Sequence, residues 1–214
     1  MSIDVLLSGF DPFAGAATNE SWESVRRAAP LLEARGLSVG TVRLPVVFSR
    51  GADLLLEQVA ARSPRLVIAT GLAAGRRAIT PERVAINVQD ARIADNDGRS
   101  PIDAPCVDGG PVGYFSTLPI KAMVESAREL DVPAAVSQSA GTYVCNDVFY
   151  RLCHALQADA SEAGDRGVAV RGGFVHVPSA DVVGAEDAAR ALVGMIEAAL
   201  RSDQDLRITG GVES

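Results

Sequence analysis

A chain of 214 residues, 48% hydrophobic, 22% charged and only 5% aromatic, has the make-up of one sizeable globular domain with an aliphatic core, and residues 1–214 are read as that single unit. A formal net charge of −7, with Lys121 the sole lysine and arginine runs no longer than Arg26-Arg27 and Arg76-Arg77, excludes a nucleic-acid surface, which needs clustered cations. Residues 1–7 carry neither the basic nor the apolar region of a signal peptide, and no run nears the roughly 18 apolar residues that span a bilayer, so the expectation is a cytoplasmic protein without a membrane partner.

In chain order, residues 3–8 form a short apolar run closed by Gly9, which suits a buried first strand. Residues 19–35 follow with helical spacing through Trp22, Val25, Ala29 and Leu32, although Pro30 disturbs the end. Strands are predicted at 38–47 and 65–69 around a helix at 50–61, then a strand at 82–88 and a helix at 121–130. A strand at 134–138, a helix at 146–157, a strand at 173–177 and a closing helix at 185–201 complete the alternation of an α/β domain. The Asp-, Gly- and Pro-rich stretch 90–113 is a long loop of the kind that carries function, 159–167 reads as a surface loop, and 208–214 as a frayed tail.

Chemistry concentrates where strands end. The segment Ser139-Ala140-Gly141-Thr142-Tyr143-Val144-Cys145-Asn146-Asp147 sets a thiol at the junction of a predicted strand and helix, with Gly141-Thr142 as the turn. Unpaired amides and the macrodipole at a helix N-terminus favour a thiolate. A thiol nucleophile needs an acid–base partner, and the chain has two histidines. His154 falls about two and a half turns beyond Cys145, on the opposite face of the helix. His176, in Phe174-Val175-His176-Val177-Pro178, ends an apolar strand and so shares a sheet edge with Cys145. A carboxylate to orient the imidazole is offered by Glu82 in Thr80-Pro81-Glu82-Arg83-Val84-Ala85-Ile86-Asn87, with Asp90, Asp95 and Asp97 as rivals.

Cys106, Cys145 and Cys153 have no metal-type pairing with each other or with the histidines, so reduced thiols and no metal are expected. The loop Gly9-Phe10-Asp11-Pro12-Phe13-Ala14-Gly15 places two phenylalanines where they either sandwich a flat ligand or plug the sheet edge. The glycines fit neither the dinucleotide fingerprint nor a phosphate-binding Gly-Lys-Ser/Thr element, so no nucleotide cofactor is expected.

Taken together, Gly9-Phe10-Asp11-Pro12-Phe13, Glu82-Arg83-Val84-Ala85-Ile86-Asn87-Val88, Asp90-Ala91-Arg92-Ile93 with Asp95-Asn96, the Ser139–Asn146 segment and Phe174-Val175-His176-Val177-Pro178 resemble the pyroglutamyl peptidase I (pyrrolidone-carboxylate peptidase) family of cysteine peptidases. The resemblance spans nearly the whole chain. It implies a three-layer α/β/α sandwich around a mixed, mostly parallel sheet, similar to the purine nucleoside phosphorylase-like fold. It also implies a cytosolic homotetramer without cofactors, and a Cys-His-Glu triad of Cys145, His176 and Glu82 that hydrolyses the amide bond after an amino-terminal pyroglutamyl residue. Pyroglutamate has no charged α-amine, so a pocket for it is flat and apolar with a few polar contacts. The resemblance assigns that pocket to Phe10, Phe13 and Asn19, with backbone contacts from Tyr143 and Val144 and with Arg92 near the oxyanion site. The chain departs from the family at Gly71-Leu72-Ala73-Ala74-Gly75, where Leu72 replaces a polar pocket group, at Ala14 in place of a glycine, and at Pro81 before the glutamate. A nucleoside phosphorylase or hydrolase on the same architecture, and a weakly catalytic binding protein for pyroglutamyl peptides, are the alternatives.

Overall fold

The structure, a computed structural model, describes residues 2–163 and 170–211, and the side chains of residues 159–163 lie outside that description. In chain order its elements are β1 (Val5–Phe10), α1 (Glu20–Glu33), β2 (Val39–Leu44), α2 (Arg50–Arg62), β3 (Leu66–Leu72), β4 (Thr80–Pro81), β5 (Val84–Ile86), β6 (Gly113–Phe115), α3 (Ile120–Arg128), α4 (Val144–Ala163), β7 (Arg171–Val177) and α5 (Ala185–Arg201). The main sheet has the order β2-β1-β3-β7-β4. Its first four strands run parallel, and β4 is an antiparallel edge on β7. β5 and β6 pair separately.

Side chains alternate across a strand, so each apolar strand feeds two cores. Val5, Leu7, Leu66, Ile68 and Val175 point to the layer that α1, α3 and α5 cover. Leu6, Phe10, Val67, Ala69 and Phe174 point to the layer of α2 and α4. Burying each Leu, Ile, Val or Phe side chain stabilises by about 1.5–3 kcal/mol, and these near-continuous apolar strands are what a sheet covered on both faces requires. The expected α/β sandwich is the observed one. Among the described residues, no helix is long and apolar enough to cross a membrane.

Several stretches differ from the sequence expectation, among them β6, which the sequence pattern does not predict. Residues 134–138 form no strand; Ala134 and Ser137 make isolated parallel bridges to Ile79 and Glu82. The cause is Pro81 between those two partners, which has no N–H to continue the ladder. The strand predicted at 82–88 breaks in the same place, leaving Glu82 between β4 and β5. α4 begins at Val144 rather than at residue 146 and runs to Ala163, so residues 159–163 are helical rather than loop; the rest of that expected loop, 164–167, lies outside the described residues.

The tail expected to fray after Arg207 is tied down as far as Gly210, whose carbonyl accepts from Arg83 and Gln138 at 3.0 and 3.1 Å. Further back, Asp205 accepts from the Lys121 and Ala122 amides at the start of α3.

Candidate active site

The parallel strands end at one edge, and the predicted acid–base residue stands there. His176 is the penultimate residue of β7, is 4% exposed, and pairs in register with Gly71 of β3. Its Nδ1 lies 2.7 Å from Oε1 of Glu82. Glu82 is held there by its own backbone: its N–H donates to the Phe174 carbonyl at 2.8 Å. Its carboxylate is fully buried. Burial raises the Glu82 carboxyl, but the His176 hydrogen bond and the neighbouring charges, Arg76 among them, together outweigh it and hold the group below its ordinary value. An ionised carboxylate can only accept, so Nδ1 of His176 carries the proton and Nε2 presents a lone pair. Burial in turn lowers the pKa of His176 against the pull of Glu82, so the imidazole rests neutral. The rival carboxylates do other work: Asp90 and Asp97 are exposed, and Asp95 accepts from the amides of Phe48, Asp97 and Arg99.

Cys145 reaches the same edge from the opposite direction. The left-handed turn at Gly141, φ 81°, starts the approach, and the Thr142 hydroxyl and carbonyl are tied to the Asp90 carbonyl and amide. Cys145 is then the second residue of α4, in the first turn, where amides lack intrahelical acceptors. Its sulfur hangs over β3, so a Cβ added at Gly71 would come within 2.8 Å of Sγ and within 2.8 Å of the Phe174 ring. Only glycine fits that position. Because neighbouring strands lie about 4.8 Å apart and Gly71 is the register partner of His176, the sulfur and the imidazole share one small space. Burial pushes the Cys145 thiol up to about 12, with the Glu82 charge adding to the rise and Arg76 and the residue's own N–H opposing it. This burial works against the thiolate that the helix end favours.

The other expected site residues divide into scaffold and rim. Phe10 is 2% exposed and packs on Phe174 at a centroid distance of 6.4 Å, a core residue beneath the edge, whereas Phe13 is half-buried. Asn19 is the N-cap of α1: its Oδ1 accepts from the Ser21 amide and hydroxyl and its Nδ2 donates to the Asp11 carbonyl, so its polar atoms close the loop. Leu72 is half-buried at the end of β3, and Arg92 is exposed on the loop after Asp90. Tyr143 stands edge-on to Phe48 at 5.3 Å and donates to the Ala94 carbonyl at 3.0 Å; Val144 is fully buried. His154 pairs with the Tyr114 hydroxyl at 2.7 Å, and Cys106 and Cys153 are buried in the core of the α2/α4 layer. Among the described residues, no group of three or more His, Cys, Asp and Glu side chains is placed to hold a metal ion.

Sequence reasoning missed two groups. Arg76, read there only as half of a short basic pair, donates through Nη1 to Glu82 Oε1 at 2.5 Å and through Nη2 to the Ser139 carbonyl at 3.1 Å. Asp147 accepts from Gln89 at 2.7 Å, from Arg151 at 2.9 Å and from the amide of Ser49, whose φ of 65° needs such support. The recurrence of Asp147 and Arg151 one helical turn apart was the available signal for the second; nothing in the spacing of Arg76 and Glu82 pointed to the first.

A thiol brought to the same sheet edge as a carboxylate-paired imidazole can carry acyl transfer through a covalent intermediate. Comparison with known proteins points the same way. The family model described as pyroglutamyl peptidase matches residues 3–201. A pyrrolidone-carboxylate peptidase of Klebsiella pneumoniae is 51% identical over 174 residues, covering 81% of this chain and 77% of the relative. Another from Pectobacterium carotovorum is 45% identical, with 97% of each chain covered. The crystal structure of pyroglutamyl peptidase I from Bacillus amyloliquefaciens superposes with a TM-score of 0.83 at 36% identity, covering 98% of this chain and all of that one. By its sequence, and with a fold to match, this chain belongs to the pyroglutamyl peptidase family of cysteine peptidases.

Proposed function

We propose that the protein hydrolyses the amide bond after an amino-terminal pyroglutamyl residue, with Cys145 as nucleophile, His176 as acid–base and Glu82 as its orienting carboxylate. The observation that carries this reading is the fully buried Glu82 pairing Nδ1 of His176 at 2.7 Å beside the sulfur that occupies the space over Gly71. As Sγ attacks the pyroglutamyl carbonyl carbon, Nε2 takes the thiol proton; the carbonyl oxygen becomes an oxyanion facing the amides of the first turn of α4. Collapse of the tetrahedral species breaks the C–N bond, and the imidazolium returns the proton to the departing amine. Water then attacks the thioester with His176 as base, releasing pyroglutamate and the thiol.

Starting from thiol and neutral imidazole makes His176 a general base for the first step rather than the partner of a standing ion pair. The half-buried Phe13 and Leu72, with Tyr143 and the backbone at Val144, are suited to border the flat lactam; Phe10 and Asn19 support that border from beneath, and Arg92 lies at its exposed side. Assembly of copies as a homotetramer in the cytoplasm accords with the family resemblance, and the exposed Val112 and Phe115, at 91% and 73%, favour association. Light scattering on the purified chain measures that state.

The decisive assay is release of a fluorophore from a pyroglutamyl amide. The wild type should turn over and lose activity to a thiol alkylator that modifies Cys145 and spares the buried Cys106 and Cys153; Cys145→Ala should be inactive. Turnover by Cys145→Ala at the wild-type rate would overturn the reading.

A further inference from the structure

Arg76 joins two parts of the site that come from distant stretches of chain. Residues 73–76 make the turn that leaves β3, with the Ala73 amide bonded to the Val177 carbonyl and the Arg76 amide to the Ala73 carbonyl. From that turn one guanidinium nitrogen meets Thr80 Oγ1 and Glu82 Oε1, and the other meets the carbonyl of Ser139. Glu82 Oε1 is the same oxygen that holds His176, while Oε2 has no hydrogen-bond partner in the protein. The carboxylate is fully buried, whereas the Arg76 side chain is 27% exposed and keeps contact with water. Ser139 opens the turn that runs through Gly141 into Cys145. We propose that Arg76 is a positioning residue of the site: its guanidinium clamps the carboxylate that orients His176 to the backbone turn that delivers Cys145, so that acid–base and nucleophile move as one unit.

This inference rests on the roles given above to Cys145, His176 and Glu82. Its electrostatics agree with its geometry. Burial is the largest single influence at each group, raising Glu82 and Cys145 and lowering His176, although at Glu82 the opposing contacts together outweigh it; the Arg76 charge opposes burial at Glu82 and Cys145 and reinforces it at His176. Arg76 thus favours ionised carboxylate, neutral imidazole and an easily ionised thiol, the forms from which the attack starts. Its removal raises all three pKa values, and the rate profile must move toward alkali. A lysine would keep the charge but lacks the fork that reaches two acceptors at once.

The test measures kcat, KM and their pH dependence on a pyroglutamyl amide for wild type, Arg76→Gln, Arg76→Lys and the exposed neighbour variant Arg77→Gln, together with the rate of Cys145 alkylation against pH. Arg76→Gln should lower kcat on the order of ten- to a hundredfold, the range for loss of a charged hydrogen bond, with KM little changed. Its acid limb and its alkylation profile should both move up by about one pH unit. Arg76→Lys should keep the wild-type pH profile and lose kcat several-fold, and it carries the test if Arg76→Gln does not fold.

An unmoved profile in Arg76→Gln overturns the proposal, as does wild-type kcat in Arg76→Lys. A raised KM at constant kcat would make Arg76 a substrate contact instead. An equal shift in Arg77→Gln would reduce the effect to general surface charge. If the wild type cleaves no pyroglutamyl amide, the functional reading fails, and the alkylation profiles still decide whether Arg76 governs Cys145.

Discussion

The two faces of the sheet are filled differently. The layer under α1, α3 and α5 is a large aliphatic core of residues such as Val25, Leu32, Met123, Val124, Leu192 and Ile196, and polar side chains buried there, such as Ser21, Ser24 and Thr70, carry uncharged hydroxyls. On the side of α2 and α4, buried apolar residues share space with His176, Glu82, Gln89, Asp95, Asn146 and Asp147, all less than 6% exposed. Buried polar groups cost stability wherever they go unbonded, as Glu82 Oε2 does, and these other groups are bonded into the loops that carry the site: Asn146 bridges the amide and carbonyl of Ile86 and the carbonyl of Val88, and Asp147 holds Ser49. One face therefore supplies fold stability, and the other spends some of it on a site with a single geometry. The two functions are separable, and substitutions should separate them.

The largest effect is expected at His176→Ala, which should lower kcat/KM at least a hundredfold, the low end of what an acid–base group contributes, while leaving the thermal midpoint close to wild type. A collapse of the midpoint without loss of specific activity would break the division of labour. Next comes Leu192→Ala on α5, 1% exposed and far from the sheet edge, which should cost about 2–5 kcal/mol in denaturant unfolding. The folded fraction should keep its specific activity, and a matching fall in kcat would show that the aliphatic face tunes the site as well.

The smallest effect is in pH. Burial raises Cys106 and Cys153 to about 12, as it does Cys145 and Tyr150, and all four belong to the α2/α4 layer. A group whose pKa is raised by folding stabilises fully below its unfolded value and loses that contribution as pH climbs to the folded one, so stability should decline between about pH 9 and 12. His176 shifts the other way: its folded pKa is depressed, the unfolded chain binds the proton first, and stability falls as pH drops below about 6.5. Hydrogen exchange should find the α4 amides opening before those of α5 at alkaline pH. The reverse order would show that the thiol-bearing face is not the alkali-sensitive one.

Much of this was legible in the chain because it is written in local pattern. The apolar runs located the parallel strands, and the apolar spacing of residues 185–201 gave the closing helix its bounds. His176 before Pro178 and Cys145 after Gly141 announced a shared sheet edge. What stayed hidden depends on contacts through space. Residues 134–138 have strand composition but lose their ladder to Pro81, a residue some fifty positions away. The ionisation of Cys145 followed helix-end logic in sequence, yet burial beside Glu82 works against it. Phe10 reads equally as half of a ligand clamp or as a plug over the sheet edge, and only its packing on Phe174 in the α2/α4 layer shows how deeply the strand carries it. Arg76 could not be found, since an arginine gains meaning only when the turn after β3 brings it to a carboxylate and a carbonyl together.

The binding of Gly210 to Arg83 and Gln138 has a practical corollary. These two side chains flank the site's own chain, one next to Glu82 and the other next to Ser139. The last described stretch thus behaves as a strut rather than a loose end. Tags, surface attachment and display fusions belong away from it, and trimming the chain short of Gly210 unties a support on both sides of the chemistry.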